Sequence, residues 1–287
     1  MDGKTGKDPK TMNILMIGNS FCYSYVDELY GMAAELGYEL NITNLYRGGC
    51  SIKSHYKWLQ DPAEGADKCE YFITGSLGRY KHPTITTLAE ALEYAHWDVI
   101  SCQQHFDVAR TLDYAAGWES CMPEAADMYT YLKTRYPDAK LYWQQTWAYA
   151  VGYQHPDNRG QAYDINRKNG DVPDVSIQTR QHAVIRSVSR ALCAENSVAL
   201  IPTGDAWHLA RGLLGDTLTK PDCCHDSDVG GGQYLNACVW LEVLLGESCI
   251  GNTWRPADYG LMENRIAALQ ECAHEAVAAV YGPEYAK

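Results

Sequence analysis

Strand-sized apolar runs alternate along this chain with longer stretches of helical periodicity, and this alternation restricts the fold more than any other feature of the sequence. The runs fall at residues 13–17, 39–46, 97–102, 140–145 and 198–201, and each ends in a glycine, a proline or a polar pair. Between them, residues 176–194 carry Val184, Ile185, Val188, Ala191 and Leu192 at helical spacing. Gly37 is the stop of the first helix, which begins at Ser20, and Pro123 fits the first turn of a helix running to about Arg135. Apolar helices at about 234–245 and 263–280 close the chain. The pattern predicts an α/β fold, a three-layer α/β/α sandwich around a mostly parallel five-stranded sheet.

The alternation is broken twice, at about 60–83 and 151–173, and the first break holds a possible small hairpin, residues 71–75 with 78–80. Neither break resembles a linker, and no internal repeat is present, so residues 13–287 are expected to form one domain behind a flexible polar leader, residues 1–12. That leader lacks the apolar segment of a signal peptide. The compartment stays open, because an exported precursor could have lost its signal. A chain of 287 residues, 46% of them hydrophobic, fills a core without a metal or disulfide staple. The eleven cysteines are scattered, many within apolar runs, and read as buried thiols rather than a disulfide framework. A formal charge of −12 argues against nucleic acid and anionic membranes as partners, and no apolar run approaches the roughly 18 residues needed to span a bilayer. The oligomeric state is not readable.

In a doubly wound sheet, ligands bind beyond the carboxyl ends of the strands, where the notable polar residues of this sequence lie. Gly18-Asn19-Ser20 ends the first strand, with glycine for a tight turn and a serine at a helix start, where backbone N–H groups favour developing negative charge. Taken alone, Ser20 is equally a simple N-cap. Asp222 and His225 stand three residues apart on a late loop, a spacing that lets the carboxylate orient the imidazole while Nε2 points at a hydroxyl. Taken alone, that pair is a common loop combination. Gly48-Gly49 after the second strand and Gln103-Gln104 after the third offer amide donors for an oxyanion, or else an ordinary turn and surface amides.

Together these pieces resemble the SGNH (GDSL-type) hydrolases. Ile14-Leu-Met-Ile-Gly-Asn-Ser20 resembles their first block, with Asn in place of the more familiar Asp, and Gly49 matches the glycine of the second. Asp222 and His225 resemble the last block. The sequence is closest to the bacterial DUF4886 branch, whose features recur as Asn44-Leu-Tyr-Arg-Gly-Gly-Cys-Ser51, Ile100-Ser-Cys-Gln-Gln104, Gln145-Thr-Trp-Ala-Tyr149, Ile201-Pro-Thr-Gly204 and Gly232-Gln-Tyr-Leu235. The resemblance implies a flavodoxin-like SGNH fold with Ser20 as nucleophile, His225 as base and Asp222 as its partner. Its oxyanion hole would consist of the Ser20 and Gly49 amides with Gln103, or Gln104 close behind, where the family usually has Asn. A second departure is Asp226, whose carboxylate beside His225 would raise the imidazole pKa or compete for its proton.

The implied reaction needs no metal or organic cofactor. Cys223, Cys224, His225, Asp226 and Asp228 lack the C-x-x-C spacing of a zinc site. Gln145 and Trp147, past the fourth strand, are expected to bind substrate, whereas His55, His82, His105, His155, His182 and His208 have no visible partner. The second excursion is polar, with Gln154, His155, Asp157, Asn158, Arg159 and Asp164, which suits a hydroxyl-rich alcohol. The expected activity is hydrolysis of short-chain esters, acetyl foremost, on a small molecule or oligosaccharide. The alternative is a non-catalytic carbohydrate-binding protein on the same fold.

Overall fold

A computed structural model describes residues 9–104, 112–151, 167–168, 172–173, 175–256, 260–261 and 263–287. Its strands are β1 (Lys10–Ile17), β2 (Tyr38–Tyr46), β3 (Glu70–Gly75), β4 (Gly78–Lys81), β5 (Val99–Gln103), β6 (Lys140–Gln144), β7 (Arg167–Lys168), β8 (Val172–Pro173) and β9 (Ala199–Ile201). Its helices are α1 (Val26–Glu35), α2 (Ile52–Gln60), α3 (Pro62–Gly65), α4 (Leu88–Glu93), α5 (Tyr114–Arg135), α6 (Val175–Asn196), α7 (Thr203–Leu214), α8 (Gly232–Leu245) and α9 (Glu263–Tyr281).

The main sheet runs in the order β4-β3-β2-β1-β5-β6-β9. The five strands β2, β1, β5, β6 and β9 are parallel, as the alternation predicts. β1 lies at the centre, and its Ile14, Leu15, Met16 and Ile17 are all fully buried, which a parallel strand covered on both faces requires. Helices α1, α7, α8 and α9 pack together on one face, and α2, α4, α5 and α6 on the other. Helix α8 is buried from Gly232 to Leu244, so it is apolar nearly all round rather than striped. After β1 the chain lays β2 on one side and later β5 on the other, which opens a crevice at their carboxyl ends.

Four details differ from the sequence reading. First, Lys10–Met12 are strand rather than leader, paired with Tyr38–Leu40 of β2. Second, the hairpin is no separate insertion: β3 joins β2 antiparallel and β4 joins β3, giving seven strands instead of five. The exposed, charged β4 makes a protected sheet edge. Third, Pro123 lies inside α5, not in its first turn. An interior proline costs about 3 kcal/mol or more. Here the buried face Gly117, Cys121, Ala125, Met128 and Leu132 continues straight through it, and its packing outweighs that cost. Fourth, residues 203–214 form α7 directly after Pro202, where the sequence reading assigns no element. Apart from Val151 and the two-residue strands β7 and β8, the excursion at 151–173 lies outside the described residues.

Candidate active site

Ser20 begins a single 3-10 turn, Ser20–Cys22, directly beyond β1. The register that pairs Ile17 with Cys102 places Gly18 beside Gln103. A Cβ on Gly18 would come within 2.4 Å of Gln103 Oε1, so glycine is required for close approach here. Asn19 then fixes the turn from three directions. Its side-chain oxygen accepts from the Phe21 amide (3.1 Å), its Nδ2 donates to the Cys50 carbonyl (2.9 Å), and its backbone N–H donates to Gln103 Oε1 (3.1 Å). The Ser20 turn is thereby attached to the end of β5 and to the loop that follows β2.

The loop between α7 and α8 brings Asp222 and His225 over that turn. His225 Nε2 lies 2.8 Å from Ser20 Oγ, and His225 Nδ1 lies 2.7 Å from Asp222 Oδ2. Asp222 Oδ1 accepts the backbone amides of Cys224 (3.0 Å) and His225 (2.9 Å). Partial burial would raise the Asp222 carboxyl, but those two amides and the imidazole outweigh it and hold the group below the usual carboxylate range. An ionised Asp222 accepts a hydrogen bond from Nδ1–H, which leaves Nε2 as the acceptor facing the serine hydroxyl.

Aromatic packing supports this arrangement from beneath. Phe21 stacks on the His225 ring (centroids 5.0 Å, planes 23° apart), and Trp147 packs against Phe21 at 5.0 Å. Trp147 in turn stacks on Trp207 at 4.4 Å and 4°, and its indole N–H donates to the Cys224 carbonyl (2.9 Å). Asp226 faces away from His225 into the core. It accepts from Ser24 Oγ and from Asn236 Nδ2 (3.1 Å), while Asn236 Oδ1 accepts from Trp207 Nε1 (2.7 Å). Burial raises the Asp226 carboxyl. Its geometry is that of a clasp between the Ser20–Ser24 segment and the His225 loop, rather than a competitor for the imidazole proton.

On the other flank, Gln103 is the last residue of β5 and is buried. With Oε1 held by the Asn19 amide, its Nε2 is buried and unpartnered among the described residues. Gln104 is engaged at both ends: Oε1 accepts from the Ile52 amide (2.8 Å) and Nε2 donates to the Ser120 carbonyl (3.0 Å). Gly49 has φ +63°, with open space where a Cβ would sit, so its backbone conformation rather than crowding demands glycine. Its amide has no hydrogen bond to protein among the described residues.

Two expected substrate contacts are not available to substrate in this structure. Gln145 is fully buried, with Nε2 on Asp205 Oδ1 (3.1 Å) and Oε1 on the Asp205 amide (2.8 Å), so it anchors the start of α7. Trp147 is likewise fully buried, and both its ring and its N–H are occupied by the packing just described. The polar residues 154–164 lie outside the described residues, as do His105 and His155. Conversely, sequence reasoning passed over His55, which is wholly buried and bonds Gly18 O through Nε2 (2.7 Å). Its place in α2, directly after the Gly-Gly turn, was the available signal. Asp222, Cys224 and His225 hold potential metal-ligand atoms within 4.8 Å of one another. Those atoms already engage each other, with Nδ1 on Asp222 and Cys224 Sγ 3.4 Å from the same nitrogen. The cluster therefore has the geometry of an acid–base pair.

The comparisons with known proteins agree with this architecture. A solved structure of a DUF4886 family protein from Bacteroides uniformis is 25% identical, with a TM-score of 0.76 over 97% of this chain and 98% of that one. A candidate SGNH hydrolase from Slackia heliotrinireducens superposes with a TM-score of 0.50 at 19% identity, covering 81% of this chain and 98% of that one. A candidate GDSL-like lipase from Parabacteroides merdae gives 0.50 at 15%, covering 83% and 97%. At these two lower identities the likeness concerns the fold. No curated protein matches the chain. The model of the domain of unknown function DUF4886 matches residues 13–276, and this chain belongs to that family.

Proposed function

We propose that this protein is a serine hydrolase acting on carboxylic esters, with Ser20 as nucleophile, His225 as general base and Asp222 as its orienting partner. The observation that carries the reading is the continuous hydrogen-bonded chain from Asp222 through His225 to Ser20, at 2.7 and 2.8 Å. At the same turn, Gln103 holds the Asn19 amide through Oε1, and its Nε2 is buried with no hydrogen-bond partner among the described residues. An oxyanion hole requires such a donor, whose partner arrives only with the reacting group.

In the reaction, Ser20 Oγ attacks the ester carbonyl while Nε2 of His225 takes the hydroxyl proton, and Asp222 stabilises the imidazolium. The tetrahedral oxyanion accepts from the Ser20 and Gly49 amides and from Gln103 Nε2. His225 then protonates the leaving alcohol, and water repeats the sequence on the acyl-enzyme. For substrate, the reading is a short acyl group, acetyl foremost, on a carbohydrate or similar polar alcohol, supported by the polar sequence of residues 154–164. The test is an acyl-length series on one leaving group, run beside acetylated oligosaccharides with Ser20→Ala as control. Acetate release that depends on Ser20 is expected. Rates that climb with chain length and no release from any sugar would overturn the substrate assignment, and no Ser20-dependent turnover at all would overturn the hydrolase.

A further inference from the structure

A pair of thiols lies directly behind the loop that carries Gly49. Register pairs Tyr46 of β2 with Glu70 of β3, so Arg47 and Cys69 continue the two strands side by side, and Arg47 Nη1 donates to the Lys68 carbonyl (2.6 Å). The Gly48-Gly49 turn then folds back, with the Cys50 amide on the Arg47 carbonyl (3.2 Å). That turn folds Cys50 back beside Arg47, the strand neighbour of Cys69, and the two thiols are close enough to shift each other's ionisation. Cys50 is 4% exposed, whereas Cys69 is only half-buried and open to a small reagent. Near Cys69 stands the wholly buried His55, whose Nε2 bonds Gly18 O and whose Nδ1 is buried with no hydrogen-bond partner among the described residues.

The surroundings separate the two sulfurs chemically. The neighbouring Cys50 thiol, with His55 and Arg47 beyond it, outweighs burial and lowers the Cys69 thiol. Its neighbour Cys50 is pushed up, by Cys69 and then by burial. A part-exposed thiol lowered by its surroundings, beside a buried thiol raised by its own, is the arrangement of an attacking and a resolving cysteine. Seven other cysteines (22, 102, 121, 193, 238, 249 and 272) are buried, and burial pushes Cys224 upward.

We propose that Cys69 is a site of oxidative modification by hydroperoxides, resolved by Cys50 as a disulfide that ties the Gly49 loop to the start of β3. In the first step the Cys69 thiolate attacks the peroxide oxygen, the O–O bond breaks, and the departing alkoxide or hydroxide takes a proton. Cys69 is left as sulfenic acid. Cys50 sulfur then attacks Cys69 sulfur and water leaves, so two thiols and one peroxide yield one disulfide, one alcohol or water, and one water. Closing a thiol–thiol contact to a bond of about 2.05 Å draws Cys50 inward. Its carbonyl holds Asn19, and Gly49 precedes it, so the nucleophile's turn and the oxyanion donor shift together. Displacements near 1 Å cost about 100-fold in turnover. This loss of turnover rests on the hydrolase reading, whereas the disulfide does not.

The test treats the full chain with hydrogen peroxide or cumene hydroperoxide, blocks free thiols with iodoacetamide, and maps unreduced peptides by mass spectrometry. The expected result is a peptide containing Cys50 linked to one containing Cys69, with a mass lower by about 2 Da and restored by dithiothreitol. Cys50→Ser should instead accumulate a dimedone-reactive Cys69, and Cys69→Ser should give neither product. If Cys50 and Cys69 stay fully alkylated while Cys223 and Cys224 oxidise, the assignment is overturned. Esterase turnover is read in parallel and should fall about tenfold or more on oxidation, returning with dithiothreitol. Linkage with unchanged turnover would overturn the regulatory effect. Linkage in a protein whose reduced form has no turnover would refute the hydrolase and leave the modification site standing.

Discussion

The two flanks of Ser20 are held in opposite ways. On the side of His225 the loop's polar groups are already engaged: Asp222 accepts two backbone amides and Nδ1–H, Cys224 O takes the Trp147 indole, and Asp226, turned into the core, is clasped by Ser24 and Asn236. On the oxyanion side, Gln103 Nε2 is buried and unmet, and the Gly49 amide has no protein acceptor among the described residues. The difference follows from what each side meets. The base flank must hold one geometry before substrate arrives, whereas donors for an oxyanion gain their partner only when charge develops in the transition state. Removing a group should therefore cost ground-state order on the first flank and transition-state stabilisation on the second.

The largest effect is expected where the flanks meet. Ser20→Ala should stay folded and lose about 10⁴-fold or more in kcat for a short ester such as p-nitrophenyl acetate. His225→Ala should lose about as much, and the double variant little more, because the two act as one unit. Losses that multiply in the double variant would show independent roles. Asp222→Asn is expected to cost less than either, since no reacting atom is removed.

The adjacent glutamines sharpen the comparison most directly. Gln103→Ala should lower kcat by about 10²- to 10³-fold with a small change in KM. Gln104→Ala should act on stability instead, because it strands the buried Ile52 amide at a cost of about 1–3 kcal/mol, visible as a lower urea midpoint. Reversed results would place the oxyanion donor at Gln104.

A smaller effect is expected at Trp147. Trp147→Phe keeps a ring between Phe21 and Trp207 but removes the N–H that holds Cys224 O. We expect kcat to fall by about tenfold with KM nearly unchanged, since the base is misplaced while substrate contacts remain. A rise in KM with kcat intact would show instead that the indole meets substrate.

The smallest effect concerns pH. The folded-state carboxyl of Asp222 is held low, so its contribution to stability is present above the unfolded carboxylate value of about 3.9 and is lost as pH falls through the lower folded value. Acid unfolding of wild type and Asp222→Asn should therefore converge at the acid end and separate above about pH 4. A constant difference across that range would mean that Asp222 acts through packing rather than charge.

Much of this protein was determined locally by sequence. Parallel strands announce themselves as short apolar runs because both their faces are covered, and the residues just past such runs must lie on one sheet edge. Ser20, Gly49 and Gln103 were legible for that reason, whereas the Asp222/His225 pair, on the loop after α7, was legible from its three-residue spacing. Tertiary structure alone decided which of two consecutive glutamines faces the nucleophile. Side chains of successive residues point opposite ways, and only the pairing of β1 with β5 sets Gln103 beside the Cβ-free Gly18. It also decided the fates of Gln145 and Trp147, whose position past a strand reads the same whether they meet substrate or solvent-free packing. The start of α7 and the Trp207 ring, distant in sequence, cover them. Likewise, nothing near His55, Cys50 or Cys69 in the chain signals their meeting. That contact arises from the β2–β3 register and the left-handed Gly49 turn, two long-range constraints that no local pattern records.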